Sequence, residues 1–446
     1  MLASGAALLT ALALIQADAQ FAAGARFESR AGEAPSFTSA SQGSQFQVIV
    51  SAIPMLSVRM LDENSDLTAS SATRIFWRPQ PLLDQRPLFL ETLDVTHLLR
   101  PSTRSSWQLN LRTSYGEEDY TVLAQQLPTQ PTLPGQLTLF SAVGSATGTW
   151  KTSRRGALFF QLNATYRRPM DSQATTDNAA TTLFPTETIV SAAPGVRYQL
   201  TRRTLVELLA AVADTDMSGI SLPNPPNGPT PETGFPTRPN STTGYLRTGH
   251  LNILTVQPQV SISEAVTRYQ RLRLTVGLTY AHALRQITAD PMKPVYPLFQ
   301  LDLDSLLDRS RSGAVWRSTL STGTMWYADP MLGVAVWRGF LQGTINTEIG
   351  RAWAAGARVA FGTDLTRLPP SAFLVGGLVP DETVLSFDLP VRYRASNRLL
   401  AEFGASFTER GSYLDSHFGW RRNSRELWLF LNLNAVTAAV RTPPRT

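Results

Sequence analysis

The side chains with the clearest chemistry in this sequence are arginines at alternate positions of apolar runs. Residues 271–284 read RLRLTVGLTYAHAL, in which Arg271 and Arg273 share one parity with threonines while leucines occupy the other. Guanidinium groups repeated along one face create a positive potential that attracts anions. The charged residues that fit this pattern, including two carboxylates, are Arg112, Arg167, Arg271, Arg273, Arg338, Asp388, Arg392, Arg394 and Glu402.

Residues suited to catalysis or metal binding form no recognisable constellation. Cysteine is absent, which excludes disulfides, thiolate metal sites and cysteine nucleophiles. The four histidines, His97, His250, His282 and His417, have no partner at metal-ligand spacing. The acidic clusters at 62–66 and 116–119 lack the spacing and the glycine of a calcium loop, so we interpret them as solvated turns. We predict no catalytic residue, metal or cofactor and no enzyme activity; a serine–histidine hydrolase stays an alternative.

The charge distribution argues against nucleic-acid binding. The chain of 446 residues has a formal net charge of +6, and lysine occurs only at 151 and 293. The arginines are spread singly along the chain, whereas nucleic-acid-binding proteins cluster their basic residues on one face. The basic residues therefore need a different explanation.

Period-two alternation of apolar and polar residues recurs from about residue 45 to residue 437 and predicts β-strands. In 107–115, for example, Trp107 and Leu109 alternate with polar residues, and in 427–433 every second residue is leucine. The runs of about 10–14 residues match tilted membrane strands better than the shorter strands of soluble proteins. No apolar stretch approaches the roughly 18 residues of a helical membrane span.

Long and short connections alternate between these runs. The long, often proline-rich segments are 117–134, 170–185, 218–249, 288–311, 364–381 and 412–424, and the short ones are 151–154, Thr201–Arg203, Asp329-Pro330 and Ser396-Asn397. This rhythm predicts an all-β fold: a single up-and-down antiparallel transmembrane β-barrel with long loops at one rim and short turns at the other. Both chain ends at the short-turn rim make the strand number even, about 16 within a range of roughly 14–18.

The apolar parity is predicted to face lipid. The other parity is strongly polar, as expected for a wet interior, and aromatic residues near strand ends are typical of membrane interfaces. These aromatic residues are Trp107, Tyr115, Trp326, Tyr327 and Trp428. A soluble sandwich or propeller also alternates, but we find no repeat of about 40–50 residues that a propeller requires. Pro258 and Pro390 fall inside predicted strands and mark bulges or the rim.

The ends of the chain give the predicted domain boundaries. Residues 6–15, AALLTALALI, precede small residues and resemble the apolar segment of a secretory signal peptide, predicted to span 1–19. Residues 20–44, rich in Ala, Gly and Ser, are predicted to form a flexible leader. The transmembrane β-barrel is placed at 45–437 and a C-terminal tail at 438–446.

The pattern resembles the outer-membrane β-barrels of Gram-negative bacteria, in a porin-like, poorly characterised group. The resemblance covers most of 45–437 and includes a closing section RLLAEFGASFTERGSYL followed by ELWLFLNLNAV. It implies location in the cell outer membrane, contact with outer-membrane lipid and insertion by the outer-membrane assembly machinery. The chain departs from such barrels in its ending, since TPPRT follows the last strand where an aromatic residue is usual.

Three functions fit these observations. The first is a water-filled, arginine-lined passage for hydrophilic solutes, with anions favoured by the arginines. The second is a polysaccharide-export barrel that works with periplasmic export proteins. The third is a non-conducting scaffold for adhesion or assembly. Whether the protein forms a homo-oligomer stays an open question, and no nucleic-acid partner is expected.

Overall fold

The chain folds into long antiparallel β-strands. The computed structural model describes residues 18–35, 44–77, 87–119, 136–170, 186–223, 245–285, 294–309, 314–329, 334–365, 382–412, 424–437 and 440–441. The strands are β1 (Asp18–Pro35), β2 (Ser44–Asp62), β3 (Ser65–Trp77), β4 (Leu88–Ser102), β5 (Ser105–Asp119), β6 (Gln136–Lys151), β7 (Gly156–Pro169), β8 (Thr186–Gln199), β9 (Thr204–Pro223), β10 (Tyr245–Ala265), β11 (Gln270–Arg285), β12 (Val295–Arg309), β13 (Ala314–Asp329), β14 (Val334–Ile349), β15 (Trp353–Asp364), β16 (Glu382–Arg394), β17 (Leu399–Ser412), β18 (Ser424–Val436) and the two-residue β19 (Val440–Arg441).

The sheet closes on itself as an up-and-down barrel of 18 long strands. Each strand pairs with the next in antiparallel register, and β1 pairs with both β2 and β18. At this seam, residues from Gly24 to Glu33 face residues from Val436 back to Leu427. Closure leaves no open sheet edge along the wall, which is the condition for a sheet to cross a bilayer.

The alternation of side chains gives the wall two different faces. On β18, Leu427, Leu429 and Leu431 are exposed, whereas Trp428 on the opposite parity is buried. The same division holds on the other strands, where most exposed large apolar side chains occupy one parity and most ion pairs the other. Exposed apolar residues on the convex face and polar residues on the concave face are the arrangement of an outer-membrane β-barrel.

The predicted loop rhythm holds except at two connections. Asp329-Pro330, predicted to be a turn of the short-turn rim, comes at the end of β13 and therefore lies on the rim of the long loops. Short turns connect β2 to β3, β4 to β5, β6 to β7, β8 to β9, β10 to β11, β14 to β15 and β16 to β17. The predicted long loop 288–311 is wrong, because most of it forms β12. Its alternating leucines and aspartates, LDLDSLL, pair with β11 and β13. With five strands before residue 120, the count is 18, at the upper end of the predicted range.

Both predicted ends of the barrel also need correction. The flexible leader predicted for 20–44 is instead largely strand, because β1 covers Asp18–Pro35 and pairs with β2 along its full length. Within the tail 438–446, Val440 and Arg441 pair with Phe21 and Gln20 of β1. Residues 1–17, which hold most of the predicted signal peptide, lie outside the described residues, so that prediction stays a prediction.

Candidate functional site

The inner face of the barrel wall carries the charged residues that the sequence selects. Most of them face an opposite charge in the strand register: Arg112 faces Asp94, Arg167 faces Glu187, Arg271 faces Asp304, Arg273 faces Asp302, Asp388 faces Arg358 and Arg392 faces Glu402. Arg394 faces Leu400 instead. Opposite charges directly across neighbouring strands stabilise a sheet, so these residues contribute to the wall itself. The wall thus also carries carboxylates that were not predicted from the alternation, namely Asp94, Glu187, Asp302 and Asp304.

Two further carboxylates, Glu207 and Glu28, each bind a pair of arginines. Glu207 on β9 accepts a hydrogen bond from Arg197 on β8 at 2.5 Å and one from Arg273 on β11 at 2.8 Å. Because β10 lies between β9 and β11, Arg273 crosses it, and its guanidinium is 3.4 Å from the hydroxyl of Ser261 on that strand. The charge of this group is one unit positive, since two guanidinium groups share one carboxylate.

The second group lies at the seam, in a segment that the sequence predicts to be a leader. Glu28 on β1 pairs with Arg26 at 2.9 Å and with Arg74 on β3 at 3.1 Å. Arg74 reaches across β2, where it is 3.4 Å from the hydroxyl of Ser51. The signal for this group was present in the sequence, because in the run GARFESR the charged residues alternate with Phe27 and Ser29.

Further contacts continue this charged region around the seam. Arg392 on β16 pairs with Glu402 on β17, and the Asn432 amide on β18 donates to the same carboxylate at 3.4 Å. Asp388 interacts electrostatically with Arg358 and Arg30. Arginines and carboxylates therefore lie close together on the inner face from β15 across the seam to β3.

The carboxylates lie deeper in the wall than the arginines that bind them. The side chains of Arg197 and Arg273 are 45% and 46% exposed, against 10% for Glu207. Arg392 is 56% exposed and Glu402 is 21% exposed. A guanidinium extends further from the strand than a carboxylate, so the arginine covers its partner. The surface toward the barrel interior is therefore more cationic than the residue count implies.

Arg338 differs from the other selected arginines. Its side chain is 4% exposed and pairs with Asp364, which is 1% exposed, at 2.6 Å. The phenolic hydroxyl of Tyr327 donates to Asp364 at 3.4 Å, and the Arg338 guanidinium lies 5.2 Å from the centroid of the Tyr327 ring. This is a buried ion pair within the wall. The prediction that Arg338 lines a passage is therefore wrong, because the side chain does not reach the interior surface.

The predicted interface aromatics divide between the two faces. Trp107 and Tyr115 are exposed on the outer face, at 41% and 53%. Trp326 faces Trp337 and packs against a buried cluster near the long-loop rim. The prediction is wrong for Tyr327, which contacts Asp364, and for Trp428, which is buried on the inner face and donates from Nε1 to Glu426. Further aromatic residues are exposed on the outer face although alternation did not single them out, namely Trp150, Tyr198, Trp316, Trp353 and Tyr393.

Two apolar clusters cover parts of the inner face near the long-loop rim. One consists of Met217, Leu251, Ile253, Ala281 and Tyr296 on β9 to β12. The other consists of Ile49, Phe76, Leu88 and Trp428 on β2, β3, β4 and β18. Their members occupy the parity that is otherwise polar, so period-two alternation alone did not reveal them. The polar part of the inner face therefore lies mainly between these clusters and the short-turn rim.

The histidines take part in two hydrogen-bonded groups. Arg285 contacts Nδ1 of His250 at 2.8 Å, and Nε2 of His250 contacts Asp216. Ser65 Oγ and His97 Nε2 are 2.8 Å apart. In the described part of the chain no carboxylate hydrogen bonds to His97, so this pair lacks the third group that orients a catalytic histidine. His417 lies outside that part.

The acidic clusters show no metal site in the described ranges. Asp66 forms a two-point pair with Arg59, at 2.9 and 2.6 Å, which occupies both carboxylate oxygens. Among the residues that the structure describes, no group of three or more His, Asp or Glu side chains is placed to hold a metal ion. The same residues contain no helix long and apolar enough to cross a membrane.

Comparison with known proteins gives similarity of fold and no family. No family model matches the chain, and no curated protein matches its sequence. Solved structures that match it include Pseudomonas aeruginosa OpdQ (9% identity, 94% of this chain and 98% of that chain, TM-score 0.42) and P. aeruginosa OccK9, also called OpdG (13%, 94% and 98%, 0.43). An apoprotein form of the FrpB iron transporter from Neisseria meningitidis also matches (8%, 96% and 82%, 0.48). At these identities and TM-scores, no function or substrate is transferred to this chain.

Proposed function

We propose that this protein is a channel of the bacterial outer membrane through which small hydrophilic solutes, and preferentially anions, cross. The observation that supports it best is the layered charge of the inner face, where exposed arginines cover more buried carboxylates. Charges along a wet wall set which ions pass, and a cationic surface raises the local concentration of anions.

The size of the barrel favours a passage over a filled interior. A barrel of about eight strands is filled by its own side chains, whereas barrels of about 16–18 strands leave an aqueous channel. This chain has 18 long strands. The polar wall between the apolar clusters and the short-turn rim supplies the hydrogen-bonding surface that a hydrated solute requires.

The experiment is ion conduction by the refolded protein in a planar bilayer, with the reversal potential measured across a salt gradient. We expect stepwise conductance and a reversal potential that indicates anion preference. Arg112 and Asp94 are a matched pair for the test, because both are exposed, at 68% and 47%, and lie 3.6 Å apart. Arg112→Gln should lower the anion preference, and Asp94→Asn should raise it.

The outcomes separate the proposal from its alternatives. Absence of conductance would refute the channel and support the non-conducting scaffold. Conductance without anion preference, or with no opposite effect of the two substitutions, would refute the role of the arginines while leaving a channel. A blocked current in the presence of an acidic polysaccharide, relieved as the polymer passes, would favour the export barrel.

The expected partners are part of the same proposal. The apolar outer face needs lipid around it, and we expect the outer-membrane assembly machinery to insert the barrel in the cell. Periplasmic export proteins belong only to the alternative of polysaccharide export. A homo-oligomer stays a prediction that sedimentation of the detergent-solubilised protein would test.

A further inference from the structure

The short turns of the barrel share a local structure that the sequence analysis did not detect. In five of them a serine or threonine hydroxyl accepts a hydrogen bond from the backbone N–H two residues later, at 3.1–3.2 Å. The hydroxyls belong to Ser102, Ser153, Thr201, Thr267 and Ser396. Such side-chain caps satisfy backbone donors that the sheet leaves free and fix the turn.

Each of these five turns presents at least one exposed arginine at its tip. Six of them are Arg104, Arg154, Arg155, Arg202, Arg203 and Arg398. In the described part of the chain none of these six forms an ion pair. The turn from β2 to β3 is the exception, because it carries the acidic Glu63. The short-turn rim is therefore a strongly basic ring.

A ring of outward aromatic residues lies just above these turns. Trp107, Trp150, Tyr198, Trp316, Trp353 and Tyr393 are exposed on the outer face near the short-turn ends of their strands. Aromatic residues at this position lie at the boundary between hydrocarbon and headgroups. Arg104 precedes Trp107 by three residues and Arg154 follows Trp150 by four.

The spacing between the two rings matches the headgroup layer of a bilayer. The two rings are separated by at most about 7–10 Å along the membrane normal, which is the rise of three or four residues of an extended strand tilted by roughly 40°. The separation is smaller than this limit because Arg104 and Arg154 lie in turns. Each headgroup layer is about 5–8 Å thick, because a bilayer of about 40–45 Å contains a hydrocarbon core of about 30 Å. A guanidinium group at this distance from the ring of aromatic residues is within reach of the lipid phosphates.

We propose that the basic ring binds the phosphates of anionic phospholipids in the periplasmic leaflet and fixes the depth of the barrel in the membrane. Short turns belong to the periplasmic side of such barrels. Arginine suits this role because its planar guanidinium forms two parallel hydrogen bonds with a phosphate. At the turn from β10 to β11, the guanidinium of Arg268 lies 4.5 Å from the centroid of the Tyr269 ring, so a basic and an aromatic side chain are adjacent there as well.

A lipid explains the ring better than an acidic polymer of the periplasm. The turns are only a few residues long, so their arginines remain next to the aromatic ring and do not project far from the membrane. The aromatic residues lie at the strand ends and the arginines in the turns next to them. A single amphipathic ligand, with an apolar and an anionic part, could therefore contact both. This binding is independent of conduction, and a non-conducting barrel would show it equally.

Native mass spectrometry of the full barrel tests the proposal. The protein is equilibrated with equal amounts of phosphatidylglycerol and phosphatidylcholine, and the retained lipids are counted. Four arginines at two turns, Arg154, Arg155, Arg202 and Arg203, are changed together to Gln, and in a matched variant together to Lys. We expect wild type to retain phosphatidylglycerol preferentially and the Gln variant to lose at least about tenfold of that preference. The Lys variant, which keeps the charge but not the two parallel hydrogen bonds, should lie between them.

Folding and the competing partner are measured in parallel. A heat-dependent shift in gel mobility reports that each variant is a closed barrel, and if the four-residue Gln variant does not fold, the variant with only Arg202 and Arg203 changed replaces it. An unchanged lipid ratio in a folded Gln variant would overturn the proposal. The proposal would also be overturned if the Gln variant kept its lipid ratio but no longer co-sedimented with purified peptidoglycan. The arginines of the short turns would then bind the cell-wall polymer instead of lipid.

Discussion

The buried pair of Arg338 and Asp364 gives the sharpest test of the structure, because the sequence assigns Arg338 to a different role. Both side chains are almost fully buried, and their closest atoms are 2.6 Å apart. Removal of one partner of a buried ion pair leaves an uncompensated charge and costs about 3–5 kcal/mol. We therefore expect Arg338→Met to lower the free energy of unfolding by about that amount, with a similar loss for Asp364→Leu.

The double variant distinguishes a buried pair from two independent polar residues. Replacing both partners by apolar side chains removes the unpaired charge, so most of the loss should be recovered. Arg112→Gln is the matched control, because the Arg112–Asp94 pair is largely exposed and such pairs contribute about 0–1 kcal/mol. Unfolding of the micelle-bound barrel by guanidinium, followed by tryptophan fluorescence, measures all four. Equal losses for Arg338→Met and Arg112→Gln would refute the burial of Arg338.

Two further predictions test the seam and the inner face. The chain has no native cysteine, so introduced cysteines can be tested in pairs. Ala25→Cys combined with Ala435→Cys should form a disulfide, because these residues face each other across the seam. Ala25→Cys combined with Ala401→Cys should not, because Ala401 lies one strand further away, on β17. Non-reducing gels of the folded barrel measure this; equal cross-linking of both pairs would contradict the register. Trp428→Ala should lower the free energy of unfolding by about 3–5 kcal/mol and Trp150→Ala much less, since Trp428 is 3% exposed and Trp150 is 61% exposed. Guanidinium unfolding compares them, and similar losses would place Trp428 on the lipid face.

The alternation of side chains made the fold predictable wherever one parity was consistently apolar. It failed for β1 because the outward residues there are small, as in Ala23 and Ala25, so the contrast between the parities is weak. It failed for β12 because Pro297 and the aspartates of LDLD suggest a loop, although Leu301 and Leu303 keep the alternation. In both strands the pairing with neighbours determines the structure, and a single sequence does not show that pairing.

Assignment of a residue to a face was also limited where both parities are apolar. In the run LWLFLNLN the residues on either side of Trp428 are leucines, and Phe430 shares its parity. Glu426, Asn432 and Asn434 share that parity too, so the inward position of Trp428 follows only when the whole strand is considered and not from the aromatic residue itself. The register agrees, because it places Trp428 beside Gly32 on the inner face, and the other partner of Gly32 is Gln47. Apolar clusters inside a polar wall are therefore the part of this fold that alternation predicts least well.

The electrostatics of the inner face depend on pairings that are distant in sequence. Arg273 and Glu207 are separated by 66 residues and Arg74 and Glu28 by 46, so no local pattern predicts either contact. A count of charges along the inner parity would suggest that these carboxylates cancel the arginines. The structure leads to a different result, because the shorter carboxylate side chain lies against the wall and the longer arginine extends over it. If the proposed channel exists, a solute in its interior is closer to the guanidinium than to its counter-charge, so we expect paired arginines still to favour anions.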